Sequence, residues 1–259
     1  DVMMPEEGAA GLLGRIHEFY LSELEFWVQT DIDRISFMDD WGSQQQLLIP
    51  PAVWRDLFKP MYKDYCDLAH AHGKRVSFSG IQVSDCETGV WVRSREAAMR
   101  NCYLANNDTG LKIDGPLDAG TTMDDGGNVI CANTIADCEI SHPETDEIFL
   151  VGNAWGTFDE QLVDQILTGL PDSQWRPFAV AGILTQSEAL DEAYYTLDGD
   201  LLISDGVSLS LNAGTTLKVS NDDITSTYRS QPDYTRYGID ADRSELIVEE
   251  DGTLICTGS

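Results

Sequence analysis

Residues 83–92, VSDCETGVWV, can be laid under residues 104–113, LANNDTGLKI, with Val83 on Leu104, Thr88 on Thr109, Gly89 on Gly110, Val90 on Leu111 and Val92 on Ile113. The period is 21 residues. A further copy, TIADCEI (134–140), follows an insertion, GPLDAGTTMDDGGN (115–128), that is rich in Gly and Asp. Each copy reads as short alternating strands joined by Asn, Asp and Gly, residues whose side chains or backbone freedom suit tight turns. A unit this short cannot bury its apolar side alone, so it must stack on its neighbours.

Upstream of the repeat the pattern changes period. From Gly11 to Gln29 the apolar residues Leu12, Ile16, Phe19, Tyr20, Leu24 and Trp27 recur at three- and four-residue steps, which predicts an amphipathic helix. RISFM (34–38) is short and β-branched or aromatic, and acidic residues follow at once, as at the end of a buried parallel strand. Pro50 and Pro51 open a second helix that runs to Gly73, with Pro60 as a kink inside it. KRVSF (74–78) reads as the next strand. Helix, strand, helix, strand is the rhythm of a parallel α/β sheet or barrel, where chemistry gathers at the carboxyl ends of the strands. Asp39 and Asp40 stand there, with Trp41 and Gln44 behind them. Two adjacent carboxylates with an amide nearby can orient a proton, a cation or a polar ligand; the alternative is a capped turn with Trp41 packed on the rim.

The run FMDDWGSQ with LLIPPAVWRDLFKPMYKDYCDLAHAHGKRV resembles the uroporphyrinogen decarboxylase superfamily, which includes cobalamin-dependent methyltransferases, over residues 11–78. The resemblance implies a TIM-barrel-like α/β segment with catalytic Asp39, Asp40 and Gln44 and ligand-binding Trp41 near the pocket. Two departures stand against an intact activity. The His-containing element that follows the matching strand in that family is replaced by Ser77, Phe78, Ser79 and Gly80, and only two of eight strand–helix units are present. His70 and His72 fall on a helix, where a solvated face is their expected role.

The repeats, together with GNAWGTFDEQLVDQILTG (152–169), resemble right-handed parallel β-helix proteins of secreted or surface type. A second β-rich module of the same kind is expected to start at Tyr194, through YTLDGDLLISDGVSLSLNAGTTLKV and GTLICTGS. The expected fold class is therefore mixed: a partial α/β, TIM-barrel-like segment (1–79), then right-handed parallel β-helix coils with a terminal segment (80–190), then a truncated β-rich solenoid module (191–259). Such proteins present long grooves to polysaccharides, and some carry carboxylates that bind calcium or act as acid and base. Asp114, Asp118, Asp124 and Asp125 are the candidate metal ligands, with calcium the candidate ion, and Trp91 is a candidate sugar platform. A solvated acidic loop is the competing reading of the four aspartates.

Composition narrows the partners. Of 45 acidic and 16 basic residues, 13 and 7 lie in the first 80, so the acidity belongs to the rest, and the net charge is −29. A surface of this sign repels phosphate backbones and excludes nucleic acid as an expected partner. No apolar run reaches the roughly 18 residues needed to span a bilayer. The six cysteines form no CxxC pair and are expected to act as buried small hydrophobes. The chain opens without Met and ends within a strand pattern, which suggests an excerpt of a longer protein.

Three functions stay open. One is a binding or scaffolding module for polysaccharide at an extracellular surface, joined to an inactive barrel fragment. Another is a decarboxylase or methyltransferase acting on a tetrapyrrole or methyl donor in the cytoplasm. The last is a fusion of unrelated gene fragments with no intact activity.

Overall fold

A computed structural model describes residues 7–37, 48–93, 97–143, 147–220, 224 and 244–257. The chain divides into two units, Asp1–Ser77 and Phe78–Ser259.

The first unit holds α1 (Glu7–Trp27), β1 (Arg34–Ser36), α2 (Pro51–Leu57), α3 (Lys59–Ala71) and the start of β2 (Arg75–Ser79). β1 and β2 run parallel, with Arg34 opposite Arg75, Ile35 opposite Val76 and Ser36 opposite Ser77. The expected kink at Pro60 is a break. The helix ends at Leu57, and Pro60 takes the first turn of α3, where its missing N–H costs no helical bond. Gly73 stops α3 at φ +67°, the left-handed conformation that glycine adopts without a Cβ clash. Leu24 of α1 and Val28 just beyond it pack on Ile35, Tyr65 and Ala69 in a small core. Leu12, Ile16, Phe19 and Tyr20 of the same apolar stripe are exposed, Phe19 by 58%.

That exposure explains the first correction to the expected fold. A barrel's outer helices bury their stripes against a closed ring of strands, whereas α1 packs on α3 and beside Ile35 of β1 and leaves most of its stripe exposed. Among the described residues no TIM-barrel closure forms.

In the second unit the repeat alignment is a pairing register. β3 (Gln82–Val83) lies beside β6 (Tyr103–Ala105), and Val83 sits opposite Leu104. β4 (Thr88–Val92) lies beside β7 (Thr109–Ile113), pairing Thr88 with Thr109, Val90 with Leu111 and Val92 with Ile113. β9 (Val129–Cys131) adds to β6, and β10 (Ala136–Ile140) adds to β7. β5 (Ala97–Arg100), β8 (Leu117–Asp118) and β11 (Ile148–Phe149) pair in the same parallel sense. Leu104, Leu111, Ile113, Leu117 and Ile130 are wholly buried in the shared core, each side chain contributing about 1.5–3 kcal/mol of hydrophobic stabilisation.

Two ladders of asparagine, with Asn107, Asn128 and Asn153 buried and Asn133 half-buried, hold the turns. Asn107 Oδ1 accepts from the Cys86 N–H at 3.2 Å, and the Asn107 N–H donates to Asn133 Oδ1 at 3.0 Å. At the other corner Asn128 Oδ1 accepts from the Cys102 N–H at 2.9 Å, and the Asn128 N–H donates to Asn153 Oδ1 at 3.1 Å. These side chains satisfy turn backbone that the strand ladders leave unpaired, which a buried turn requires. The ladder also explains the glycines of the repeat. A Cβ on Gly110 would lie 2.5 Å from Asn133 Nδ2, and one on Gly89 would lie 2.6 Å from the Gly110 carbonyl.

The repetition then breaks. After Gly152 the chain enters α4 (Glu160–Ile166), whose N-cap Asp159 accepts from the Gln161 N–H at 2.8 Å and which packs on β10. Strands resume at Gly182, twelve residues ahead of the expected Tyr194. They are β12 (Gly182–Leu184), β13 (Glu188–Leu190), β14 (Tyr194–Leu197), β15 (Leu201–Ile203), β16 (Ser208–Leu211), β17 (Thr216–Val219), β18 (Leu246–Val248) and β19 (Thr253–Cys256). They make three further sheets, β12-β15-β18, β13-β16-β19 and β14-β17, around a second core of Leu184, Leu190, Leu197, Leu201, Ile203 and Leu209.

The second correction follows. The expected right-handed parallel β-helix or β-rich solenoid is not what the described residues form. The unit is a set of small parallel sheets of two- to five-residue strands on separate cores, not one closed solenoid. The physical reason is the segment between β11 and β12, where the ladder thins to the single bridges Val129–Ala154 and Ala154–Ala179 and the chain turns into α4.

Candidate functional site

The two groups of sheets in the second unit meet at a cleft of about 450 Å³. One wall carries Gln82 of β3, directly opposite Tyr103 of β6 in the sheet register. The other is built on Ile183, Leu202 and Ile247, which pair in one row across β12, β15 and β18. In β15 the flanking Leu201 and Ile203 point into the core, so the period-2 alternation turns Leu202 outward onto the cleft. An apolar floor faces a phenol ring.

The rims are polar. Asp85 and Asn106 border one side, at φ +58° and +59°, and their corner continues through Ala132 at +55°. The Asp85 N–H donates to the Asn106 carbonyl at 3.0 Å, and the Asn106 N–H to the Ala132 carbonyl at 3.3 Å. Left-handed backbone at three stacked non-glycine residues is held by these bonds and by the Asn107 ladder behind them. Across the cleft stand Asp200, Ser204 and Glu249. Asp200 Oδ1 accepts from the Glu245 N–H at 2.9 Å, Glu249 Oε2 from the Asp205 N–H at 3.0 Å, and Asp85 Oδ2 from Ser84 Oγ at 3.0 Å. Each carboxylate is thus held by at least one hydrogen bond, and Asp200 is buried. No Lys, Arg or His is among the lining residues described. The arrangement can accept hydrogen bonds from a ligand on both rims while an apolar surface contacts its body.

The residues singled out by sequence are placed elsewhere. Asp39, Asp40, Trp41 and Gln44 lie outside the described residues. Trp91 is 52% exposed on β4, with its Nε1–H donating to Asp114 Oδ2 at 2.6 Å and the Arg93 guanidinium 4.9 Å from its ring centre. Asp114 also accepts from Ser141 Oγ at 2.6 Å. These bonds, from Ser141 first and then Trp91, hold its carboxyl below the usual range. Asp118 and Asp124 both turn to Arg100, at 2.7 and 2.9 Å from its Nη2, and Asp118 is buried with it. Asp125 lies where a Cβ on Gly152 would meet its side chain at 2.6 Å. The four aspartates are therefore divided between a tryptophan, an arginine and a glycine turn. Among the described residues no group of three or more His, Cys, Asp or Glu is arranged to hold a metal ion.

The cysteines divide as well. Cys102, Cys131 and Cys138 are buried, and burial pushes the first two thiols up to about 11 and about 12, far from a reactive thiolate. Cys66 is half-buried, while Cys86 and Cys256 are exposed. His70 and His72 also part company: His72 Nδ1 lies 3.0 Å from the Leu68 carbonyl, and His70 Nε2 is buried.

Sequence reading missed the cleft because its residues come from five strands spread over some 170 positions. The repeat register was the available signal, since it places Gln82 against Tyr103. Comparison with known proteins finds no family, no curated protein and no solved structure that matches this chain. No helix among the described residues is long and apolar enough to cross a membrane.

Proposed function

We propose that the second unit is a binding or scaffolding module for polysaccharide, suited to an extracellular surface, and that a sugar chain occupies the cleft between its two groups of sheets. The observation that carries this reading is the combination in one cleft of an apolar floor, Ile183, Leu202 and Ile247, and a phenol ring with two rims of hydroxyl, amide and carboxylate groups. A pyranose presents the matching surfaces, with C–H faces for the floor and hydroxyl edges for the rims. The volume falls within the roughly 300–1,000 Å³ usual for ligand sites.

Isothermal calorimetry against oligosaccharides of defined composition tests the proposal. Leu202→Ser removes the centre of the floor without touching the core-facing Leu201 and Ile203, and should weaken binding about tenfold. Unchanged affinity in that variant, or failure of every saccharide class to bind, overturns the reading.

A further inference from the structure

We propose that the exposed face of α1 is an interface with a second copy of this chain, in which the two α1 helices pack antiparallel about a two-fold axis at Phe19. The proposal is independent of the polysaccharide reading above.

α1 carries two apolar stripes. At about 100° per residue, His17, Leu21, Leu24 and, just beyond the helix, Val28 share one side. That side faces the unit's own core: Leu21, Leu24 and Val28 pack with Tyr65 and Ala69, and His17 Nδ1 lies 3.0 Å from the Tyr65 hydroxyl. Leu12, Ile16, Phe19, Tyr20, Phe26 and Trp27 fall on a second arc of about 120°, and all six are exposed, Phe26 by 63%. A helix that is apolar over more than half of its circumference needs cover on both sides. Its exposed rings are already ordered. Phe19 stands edge-on to Tyr20 at 5.5 Å between centroids, and Phe26 to Trp27 at 5.3 Å, which lowers the cost of fixing them on association.

Two observations point to a second copy as the cover. The first is area. The four aromatic side chains are each about half exposed and leave on the order of 400 Å² uncovered. With Leu12 and Ile16 included, a symmetric pair buries roughly 1,000 Å², the lower bound for a specific interface.

The second is charge. Glu23 stands within the stripe and Arg15 at its border, and among the described residues neither has an ion-pair partner. Antiparallel packing centred on Phe19 sets residues equally far before and after it against each other, so Leu12 meets the partner's Phe26 and Arg15 meets the partner's Glu23, twice by symmetry. Parallel packing would oppose like charges at both positions. A lipid surface fits less well. Apart from Arg15, the charges around the stripe are Glu18, Glu23 and Glu25, whereas helices that lie on membranes carry Lys and Arg there.

The test is sedimentation equilibrium of the whole chain at about 0.15 M salt, where a Debye length of about 8 Å screens the repulsion between two chains of net charge −29. Between about 1 and 100 μM protein the mass should rise from 28.6 kDa toward twice that value, as for an interface near the lower size limit. Phe19→Asp sets two carboxylates against each other on the axis and should weaken association about thirtyfold or more. Its far-ultraviolet dichroism should stay unchanged, since Phe19 is exposed in one copy alone. Arg15→Glu and Glu23→Arg should each weaken association about tenfold. The double exchange should restore it, which antiparallel pairing of these two positions requires.

A mass that stays at 28.6 kDa throughout, a mass that climbs past two copies, or a dimer that survives Phe19→Asp overturns the proposal. Failure of the double exchange to restore a dimer lost in both single variants overturns the antiparallel arrangement. Monomers that float with neutral lipid vesicles overturn the proposal in favour of a lipid surface. Monomers whose melting temperature falls on Phe19→Asp overturn it in favour of cover from within the same chain.

Discussion

Replacing Asn153 by Ala removes the end of one asparagine ladder, and the structure allows the loss to be worked bond by bond. Asn153 Oδ1 accepts from the Asn128 N–H at 3.1 Å and from Asn128 Nδ2 at 2.7 Å, and its Nδ2 donates to the carbonyls of Ala119 at 2.8 Å and Leu150 at 2.6 Å. Two of these losses are softened. Asn128 Nδ2 keeps the Met99 carbonyl, and the Ala119 carbonyl keeps Asn128 Nδ2. The other two are not: the Asn128 N–H and the Leu150 carbonyl lose these partners at residues with no solvent exposure. A buried donor left unmatched costs about 1–3 kcal/mol, and the carbonyl and vacated volume bring the total to about 3–5 kcal/mol. That is a large share of the roughly 5–15 kcal/mol typical of a folded domain. Urea unfolding, followed by fluorescence of the chain's tryptophans and by far-ultraviolet dichroism, should show a lower midpoint at unchanged slope. A loss below about 1 kcal/mol would mean that water or a shifted backbone satisfies these groups, and that the ladder does not hold the corner.

Other perturbations read the same logic. Gly110→Ala puts a Cβ 2.5 Å from Asn133 Nδ2 and 2.8 Å from the Asp137 carbonyl, and should cost about 1–3 kcal/mol by thermal melting. Gly11→Ala, in α1 with nothing within 4 Å, should instead stabilise its helix by about 0.5–1 kcal/mol. Ala132→Gly relieves a non-glycine φ of +55° and should raise stability by up to about 1 kcal/mol, a sign that ordinary Ala-to-Gly exchange does not give. Burial, outweighing two bonds from Asn133, raises the Asp137 carboxyl above its usual value. The folded state therefore favours its protonated form, so its contribution to stability is greatest below the unfolded pKa and is lost as pH rises through the folded one. Asp137→Asn should remove that slope in chemical-denaturation curves taken from acid to neutral pH and stabilise the protein at pH 7; an unchanged slope would show that Asp137 titrates as if exposed.

Much of the local architecture is legible along the chain. The helix over α1, the strands at β1 and β2 and the glycine stop at Gly73 follow from apolar spacing and backbone chemistry, which act within a few residues. The 21-residue repeat carries more, because one-for-one matching of Thr88 with Thr109 and Val92 with Ile113 is the register of the parallel pairs. The glycines at 89 and 110 are readable as repeat positions, but their cause is not. Only the three-dimensional arrangement shows an asparagine side chain crossing the space their Cβ atoms would fill.

The acidic insertion marks the limit most clearly. Four aspartates within twelve residues read as one cation site, since proximity in sequence is the only distance a sequence offers. In the fold, Arg100 draws Asp118 and Asp124 to itself, while Trp91 and Ser141 engage Asp114. The cleft shows the converse, as Gln82, Tyr103, Leu202 and Glu249 are strangers along the chain and neighbours in space.

The sequence by itself determined what depends on nearest neighbours: helix against strand, the repeat period, the pairing register within a stack and the acidic character of the second unit. Only the tertiary structure decided how many strands each sheet holds, where the stack is interrupted, which carboxylates are spent on internal partners and which converge on a cleft. The physical reason is range. Backbone preference and periodic burial act over a few residues, whereas closure, ion pairing and pocket formation depend on segments whose separation along the chain says nothing about their distance in space.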